Sequence, residues 1–222
     1  MTGSPSRFAN RREAGRFLAG AVRALHPADP VVLALPRGGV PLGYEVAKAL
    51  GAPLDVLLVR KIGAPGHEEY GIGALVDGAS PQIVIDEHAA RLVGASEDYI
   101  AAVARRELVE IERRRAAYRT GPPVALAGHT VIVVDDGIAT GGTVRAALKA
   151  LSKVSPAKVI LAVPLAPRDV LPEMRALCDE VVCLSSPEPF RAVGAHYEDF
   201  TQTEDAEVVR LLELARERKP SA

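Results

Sequence analysis

Residues 131–143 read Val-Ile-Val-Val-Asp-Asp-Gly-Ile-Ala-Thr-Gly-Gly-Thr. The β-branched residues Val131, Ile132, Val133 and Val134 form a continuous apolar run of the kind a buried parallel strand needs. Two adjacent acids, Asp135 and Asp136, end the run. A small Gly/Thr-rich turn follows and leads into a helix. That turn places free backbone N–H groups and two hydroxyls at a helix N-terminus, where a phosphate is favoured. Acids at the carboxyl end of a strand stand where open α/β sheets bind their ligands. A phosphate site with two acids beside it suits a phosphorylated sugar carrying free hydroxyls.

Outward from this stretch, helical and strand periods alternate. Residues 8–25 carry Phe17, Leu18, Ala21, Val22 and Leu25 at helical spacing. Residues 31–35 read as a buried strand, 36–39 as a turn and 40–50 as an amphipathic helix. A second strand is expected over 54–59, then a Gly-rich, polar, mobile loop over 60–73. Short strands follow near 74–76 and 82–85, and a long charged helix over 97–118 is ended by Gly121-Pro122-Pro123. Beyond the opening stretch come helix 143–153, strand 158–163, helix 168–177, strand 180–184 and a final helix over 205–218. Strands alternating with helices predict a mostly parallel sheet with helices on both faces. The expected organisation is one α/β domain, or one domain with an appendage.

Composition narrows the class. A chain of 222 residues with 48% hydrophobic content can bury a full core. A net charge of −1 creates no global field for nucleic acid, which is not expected as a partner. No window reaches the apolar length of a membrane helix, and the N-terminus is charged where a signal peptide needs an apolar core. The chain therefore reads as cytoplasmic. Cys178 and Cys183 are too few for a disulfide scaffold or zinc site and read as core packing. His26, His67, His88, His129 and His196 show no metal-ligand spacing. Helix 97–118 and its continuation carry Arg105, Arg106, Arg113, Arg114, Arg115 and Arg119, interleaved with Glu107, Glu110 and Glu112. The mixture reads as a solvated face or a subunit contact, the latter in a homodimer.

Residues 131–143 resemble the signature of the type I phosphoribosyltransferases, which bind 5-phospho-α-D-ribosyl 1-pyrophosphate (PRPP). There is no Gly-Lys-Ser/Thr of a Walker A loop and no GxGxxG of a dinucleotide fold. The resemblance implies that fold over a single domain, 1–222: a mainly parallel five-stranded sheet flanked by helices, with a core of about 26–186 and a small hood built from the N-terminal and C-terminal segments. It implies Asp135 and Asp136 on the ribose hydroxyls and Ala139, Thr140, Gly141, Gly142 and Thr143 around the 5′-phosphate. It implies Mg²⁺ carried with PRPP, touched through water by Asp136 or Asp199. Arg37-Gly38-Gly39, directly after strand 31–35, is similar to the family's pyrophosphate loop, which often contains a cis peptide. Arg37 offers a bidentate fork and the glycines let backbone approach oxygen closely.

The pattern from Arg60 and Lys61 to Glu69-Tyr70-Gly71 resembles the mobile loop of adenine phosphoribosyltransferases, with a shorter spacer. It implies Arg60 and Lys61 as further PRPP contacts, with Lys61 and Arg37 in catalysis, Glu69 as a proton-transfer group and Tyr70 near the acceptor. The 6-oxopurine enzymes carry an aspartate where this chain has Ala139, and a lysine where strand 158–163 ends in Pro164, so hypoxanthine and guanine are disfavoured. Phe190, Val193, Tyr197 and Phe200 are expected to form an aromatic cleft over a planar base. The implied reaction moves the phosphoribosyl group of PRPP to a nitrogenous base and releases pyrophosphate. Two alternatives stay open: a non-catalytic PRPP-sensing regulator, and transfer to a non-purine amine acceptor.

Overall fold

Short apolar runs separated by Gly, Pro and Asp set the order of elements in the computed structural model, which describes residues 7–78, 81–118 and 122–218 and leaves out the Glu69 side chain. Helix α1 (Arg11–Arg23) leads to strand β1 (Pro30–Ala34), helix α2 (Gly39–Leu50) and strand β2 (Leu54–Val56). Strands β3 (Val59–Ala64), β4 (His67–Val76) and β5 (Gln82–Ile85) precede helices α3 (Glu87–Leu92) and α4 (Glu97–Tyr118). Then follow β6 (Thr130–Val134), α5 (Gly142–Leu151), β7 (Lys158–Leu165), α6 (Leu171–Leu177), β8 (Glu180–Ser185) and α7 (Asp205–Glu217).

The main sheet runs β2-β1-β6-β7-β8, every pair parallel. Side chains alternate between its two faces. Val32, Ala34, Ile132, Val134, Ile160 and Ala162 pack toward α1, α2 and α7. Val31, Leu33, Val131, Val133, Leu161 and Val163 pack toward α5, α6 and the inner face of β4. All five residues of β6 are buried, so this strand is central and covered on both sides, which is why it reads as an unbroken apolar run.

Some expectations change. The strand expected over 54–59 divides: Leu54–Val56 pairs with β1, and Val59 already belongs to a second sheet, antiparallel β3-β4-β5. Residues 60–73, expected as a loop, are mostly a hairpin within that sheet, turning at Gly66 with φ +72°. Its glycines meet packing demands. A Cβ at Gly63 would sit 2.3 Å from the Glu68 carbonyl oxygen, and one at Gly73 2.5 Å from that of Val84. Ile62, Ala64 and Ile72 form the apolar face of the hairpin, buried on α3 and α4. Helix α3, which sequence reading missed, starts where the Asp86 side chain accepts from the Ala89 amide at 3.0 Å. Helix α1 begins at Arg11 rather than at residue 8. Asn10 caps the Glu13 amide at 3.0 Å, while Glu13 accepts from the amide of Ala9, just before the cap, at 2.5 Å. Helix α6 begins at Leu171 rather than 168, after the Pro167 turn.

Several arginines of α4 have intramolecular partners. Arg113 and Arg114 hold Glu110, whose carboxyl is pulled down to about 2. Arg106 reaches Glu68 and Glu107, and Arg115 pairs with Asp77. Arg119 and Gly121, at the expected helix end, lie outside the described residues. Cys178 and Cys183 are half-buried, and burial pushes both thiols up. Among the described residues, no helix is long and apolar enough to cross a membrane.

Candidate functional site

Parallel in-register pairing of β1 with β6 aligns Ala34 with Val134, so the segments after both strands leave the sheet side by side. The Leu35 amide donates to the Val134 carbonyl at 2.9 Å, extending the ladder to the turn itself. Gly38 then lies against the acids: a Cβ there would stand 2.0 Å from Asp136 Oδ2. A Cβ on Gly39 would meet the Val134 carbonyl oxygen at 2.6 Å and Asp135 Cα at 3.1 Å. Gly39 is therefore required by the neighbouring strand's backbone, and a side chain at Gly38 would displace the Asp136 carboxylate, reasons sequence reading did not supply. The Pro36–Arg37 peptide is cis.

The Ile138 amide donates to the Leu165 carbonyl at 2.8 Å, fixing the next loop to the end of β7. Gly141 takes φ +79°, and a Cβ there would crowd Val170 at 3.0 Å. Helix α5 starts at Gly142 after an N-cap, Gly141, that has no side chain to cap its amides, while Ala139, Thr140, Gly142 and Thr143 are exposed. A cleft of about 690 Å³ opens from Ala139 and Thr140 toward Phe190, walled by residues 167–170 and 187–191.

The paired acids are electrostatically costly. Asp135 accepts from the Asp136 amide at 2.8 Å, yet burial and the neighbouring Asp136 charge hold its carboxyl well above the usual range. Burial also raises Asp136, opposed by the Arg11 guanidinium 2.8 Å away. The Tyr197 hydroxyl donates to the Asp136 carbonyl at 2.7 Å, and burial pushes that phenol up.

The remaining candidates fall in different places. Arg37 points to the start of α7, where it meets Asp205 at 3.7 Å; the Tyr118 hydroxyl donates to the same carboxylate. Burial pushes Tyr118 up to about 12. Arg60 bonds Glu107 of α4 at 2.8 Å, so its head group faces that helix rather than the main sheet edge. Lys61 is exposed on the same strand and Tyr70 is exposed on β4. The Glu69 side chain lies outside the described residues.

The expected aromatic cleft is split. Phe190 lines the cleft and stacks on His196 at 5.5 Å. Tyr197 is only 2% exposed and packs on Phe8 and Phe200, so its ring belongs to the core. Val193 fills the space a Cβ on Gly137 would need, with its Cγ1 at 2.5 Å. Phe200 lies under Arg11, whose guanidinium carbon is 3.9 Å from the ring centroid. The Asp199 carboxylate folds back onto Thr201, 2.9 Å from its amide, and hydrogen bonding from the Thr201 side chain and then that amide lowers it. Sequence reading missed Arg11: its position at the start of α1, 125 residues from Asp136, carries no local signal.

The chain belongs to the phosphoribosyl transferase family: residues 9–199 match the model of the phosphoribosyl transferase domain. Two Mycobacterium tuberculosis proteins, from strains CDC 1551 and H37Rv, are provisionally named phosphoribosyl transferases. Each is 44% identical over 209 residues, covering 94% of this chain and 47% of the relative. The chain thus spans about half the length of these curated relatives. The crystal structure of TT1426 from Thermus thermophilus is similar at 42% identity and a TM-score of 0.82, over 93% of this chain and 97% of that one.

Proposed function

We propose that the chain transfers the 5-phosphoribosyl group of PRPP to a nitrogenous base, releasing pyrophosphate. The observation that carries this reading is the packing of three features at one sheet edge. They are the paired acids after β6, the uncapped start of α5, and the Gly38-Gly39 turn against Asp136.

In this reading Thr140, Thr143 and the amides of residues 139–143 bind the 5′-phosphate, where the helix start favours an anion. Asp135 and Asp136 take the ribose hydroxyls. Arg37, Gly38 and Gly39 receive the pyrophosphate, for which Arg37 exchanges Asp205 for the new anion. Lys61, and Arg60 once it exchanges Glu107 for the anion, are further contacts on the β3–β4 hairpin, and Tyr70 approaches the acceptor from β4. Phe190 offers the cleft a planar surface for the base.

The acceptor nitrogen pair forms a bond to C1 while the C1–oxygen bond breaks and its electrons leave with pyrophosphate. Glu69 takes the proton the acceptor nitrogen gives up. Rate acceleration comes mainly from alignment and charge stabilisation.

Mg²⁺ fits this donor set. Among the described residues no three His, Cys, Asp or Glu side chains cluster as a cage. Two acids with substrate oxygens and water match how this cation is usually held. PRPP would carry it, Asp136 or Asp199 would touch it through water, and it would neutralise charge on the leaving group.

The test is a pyrophosphate-release screen with PRPP, Mg²⁺ and a panel of bases and amines. Turnover with one acceptor class supports the reading. PRPP binding without release on any acceptor would instead favour a sensor. Asp136→Asn is the companion variant. Loss of one charge-assisted bond costs about 1.5–3 kcal/mol, so PRPP affinity should fall roughly ten- to hundredfold in calorimetric titration. An unchanged affinity in the folded variant would remove Asp136 from the site.

A further inference from the structure

Asp136 is held on three sides by the protein itself. Its amide donates to Asp135, its carbonyl accepts from Tyr197, and its Oδ2 accepts from Arg11 Nε at 2.8 Å. Gly38 closes the space beside the same Oδ2. The Arg11 bond is made to Oδ2 and not to Oδ1.

Arg11 is equally fixed. Its Nη1 donates to the Thr201 carbonyl at 2.7 Å, its guanidinium lies on the Phe200 ring, and its side chain is only 12% exposed. The segments that carry it are joined by backbone. The Phe8 amide donates to His196, the Glu198 amide to Phe8 and the Asp199 amide to Ala9, at 2.8–2.9 Å.

We propose that Arg11 is a positioning residue for the phosphoribosyl donor. It turns the Asp136 carboxylate so that Oδ2 is engaged and Oδ1 is presented to a ribose hydroxyl. The inference rests on the reading of Asp136 as a ribose ligand. Only a planar fork serves here: one N–H meets the carboxylate, another meets the Thr201 carbonyl, and the flat face rests on Phe200. A lysine ammonium offers neither the fork nor the flat face.

Calorimetric titration of PRPP with Mg²⁺ into the full chain tests this. Arg11→Ala should weaken PRPP binding about tenfold, in the range for loss of an ionised hydrogen-bond partner. Added ethylguanidinium should restore part of the loss, and Arg11→Lys should not. In an Asp136→Asn background, Arg11→Ala should add less than about twofold, because contacting residues that act together are not additive. A purely structural role predicts a lowered Tm, no rescue and multiplying effects, and would overturn the proposal. Unchanged affinity in a folded Arg11→Ala protein overturns it too. So does tighter binding, which would make Arg11 a competitor of the sugar.

If Arg11→Ala does not fold, Arg11→Lys and Phe200→Leu decide. Wild-type affinity in both overturns the proposal; weakened binding with retained Tm supports it. Absence of PRPP binding by the wild-type chain would defeat the donor reading itself. Wild-type binding that ignores Arg11 defeats only this inference.

Discussion

In the proposed reading, Asp135 meets a ribose hydroxyl from a position that costs stability. Its carboxyl is raised in the fold by burial and by Asp136. A raised acid favours folding fully below its unfolded value, near 3.8, and that advantage is lost as pH climbs through the folded value. At neutral pH the native state thus carries the cost of a confined charge. Asp135→Asn keeps an oxygen for the Asp136 amide and removes the charge. The variant should melt higher than wild type at pH 7, roughly 2–4 °C for each kcal/mol recovered. Thermal scans should show the two curves converging as pH falls toward 4; a variant that melts lower at pH 7 would show that the pair is not strained electrostatically. Gly38 and Gly39 offer a contrast within one turn. At Gly38 φ is −59°, a conformation alanine accepts, so Gly38→Ala costs only the displacement of Asp136 Oδ2. It should lose PRPP affinity about tenfold with little change in Tm. Gly39→Ala would press on backbone and should cost about 1–3 kcal/mol of stability in urea titration. Equal effects of the two on both readouts would mean the turn moves as one piece.

The β3–β4 hairpin is the element whose character changed most between sequence and structure. Pairing is regular from Val59 with Val76 to Ile62 with Gly73, then shifts register around Gly63 and Ala64. Stability is unevenly distributed in such a ribbon, because the irregular end has fewer ladder bonds. Amides of residues 67–71 should exchange faster than those of 73–76, and PRPP with Mg²⁺ should slow the first group selectively. Hydrogen exchange with and without donor reads this directly. Uniform, slow exchange along β4 in the free chain would refute a closing role for the hairpin tip. The opposite case is α5, whose start was correctly placed within a residue because Gly141 and Gly142 leave little else for the chain to do there.

Across the whole molecule, residues 8–11 and 193–201 meet above the carboxyl ends of β1 and β6. Phe8 is fully buried between Phe17 and Tyr197, and Tyr197 carries the hydroxyl bonded to Asp136. Phe8→Ala should therefore cost about 3–5 kcal/mol of stability and also weaken PRPP binding. Leu212→Ala, at a buried position on α7 in the same core, should cost stability in the same range while leaving affinity near wild type. Denaturant titration and calorimetry on both variants separate the effects. Equal affinities would mean the junction of the two segments does not bear on the acids.

The strand-forming run Val131–Val134 and the Asp-Asp-to-Gly-Gly-Thr turn were legible because their signals are local: apolar continuity, charge at a strand end, and turn residues before a helix. These set the parallel sheet and the position of the candidate site. The turn at 36–39 was legible for the same reason, although its glycines proved to answer to Val134 and Asp136, neighbours created only by the pairing of β1 with β6. The hairpin at 59–76 was not legible, because its glycines mimic a loop and their packing partners, Glu68 and Val84, appear only once strands pair. Arg11 was hidden, and Tyr197 and Phe200 were read as cleft residues, for a deeper reason. Their roles rest on contacts spanning as many as 190 residues, and no period or motif in a chain encodes a hydrogen bond between its distant parts. The sequence alone determined the alternation of elements and the chemistry gathered at one strand end; tertiary packing decided which carboxylate oxygen is engaged, which arginine engages it, and which aromatic ring is left to face the cleft.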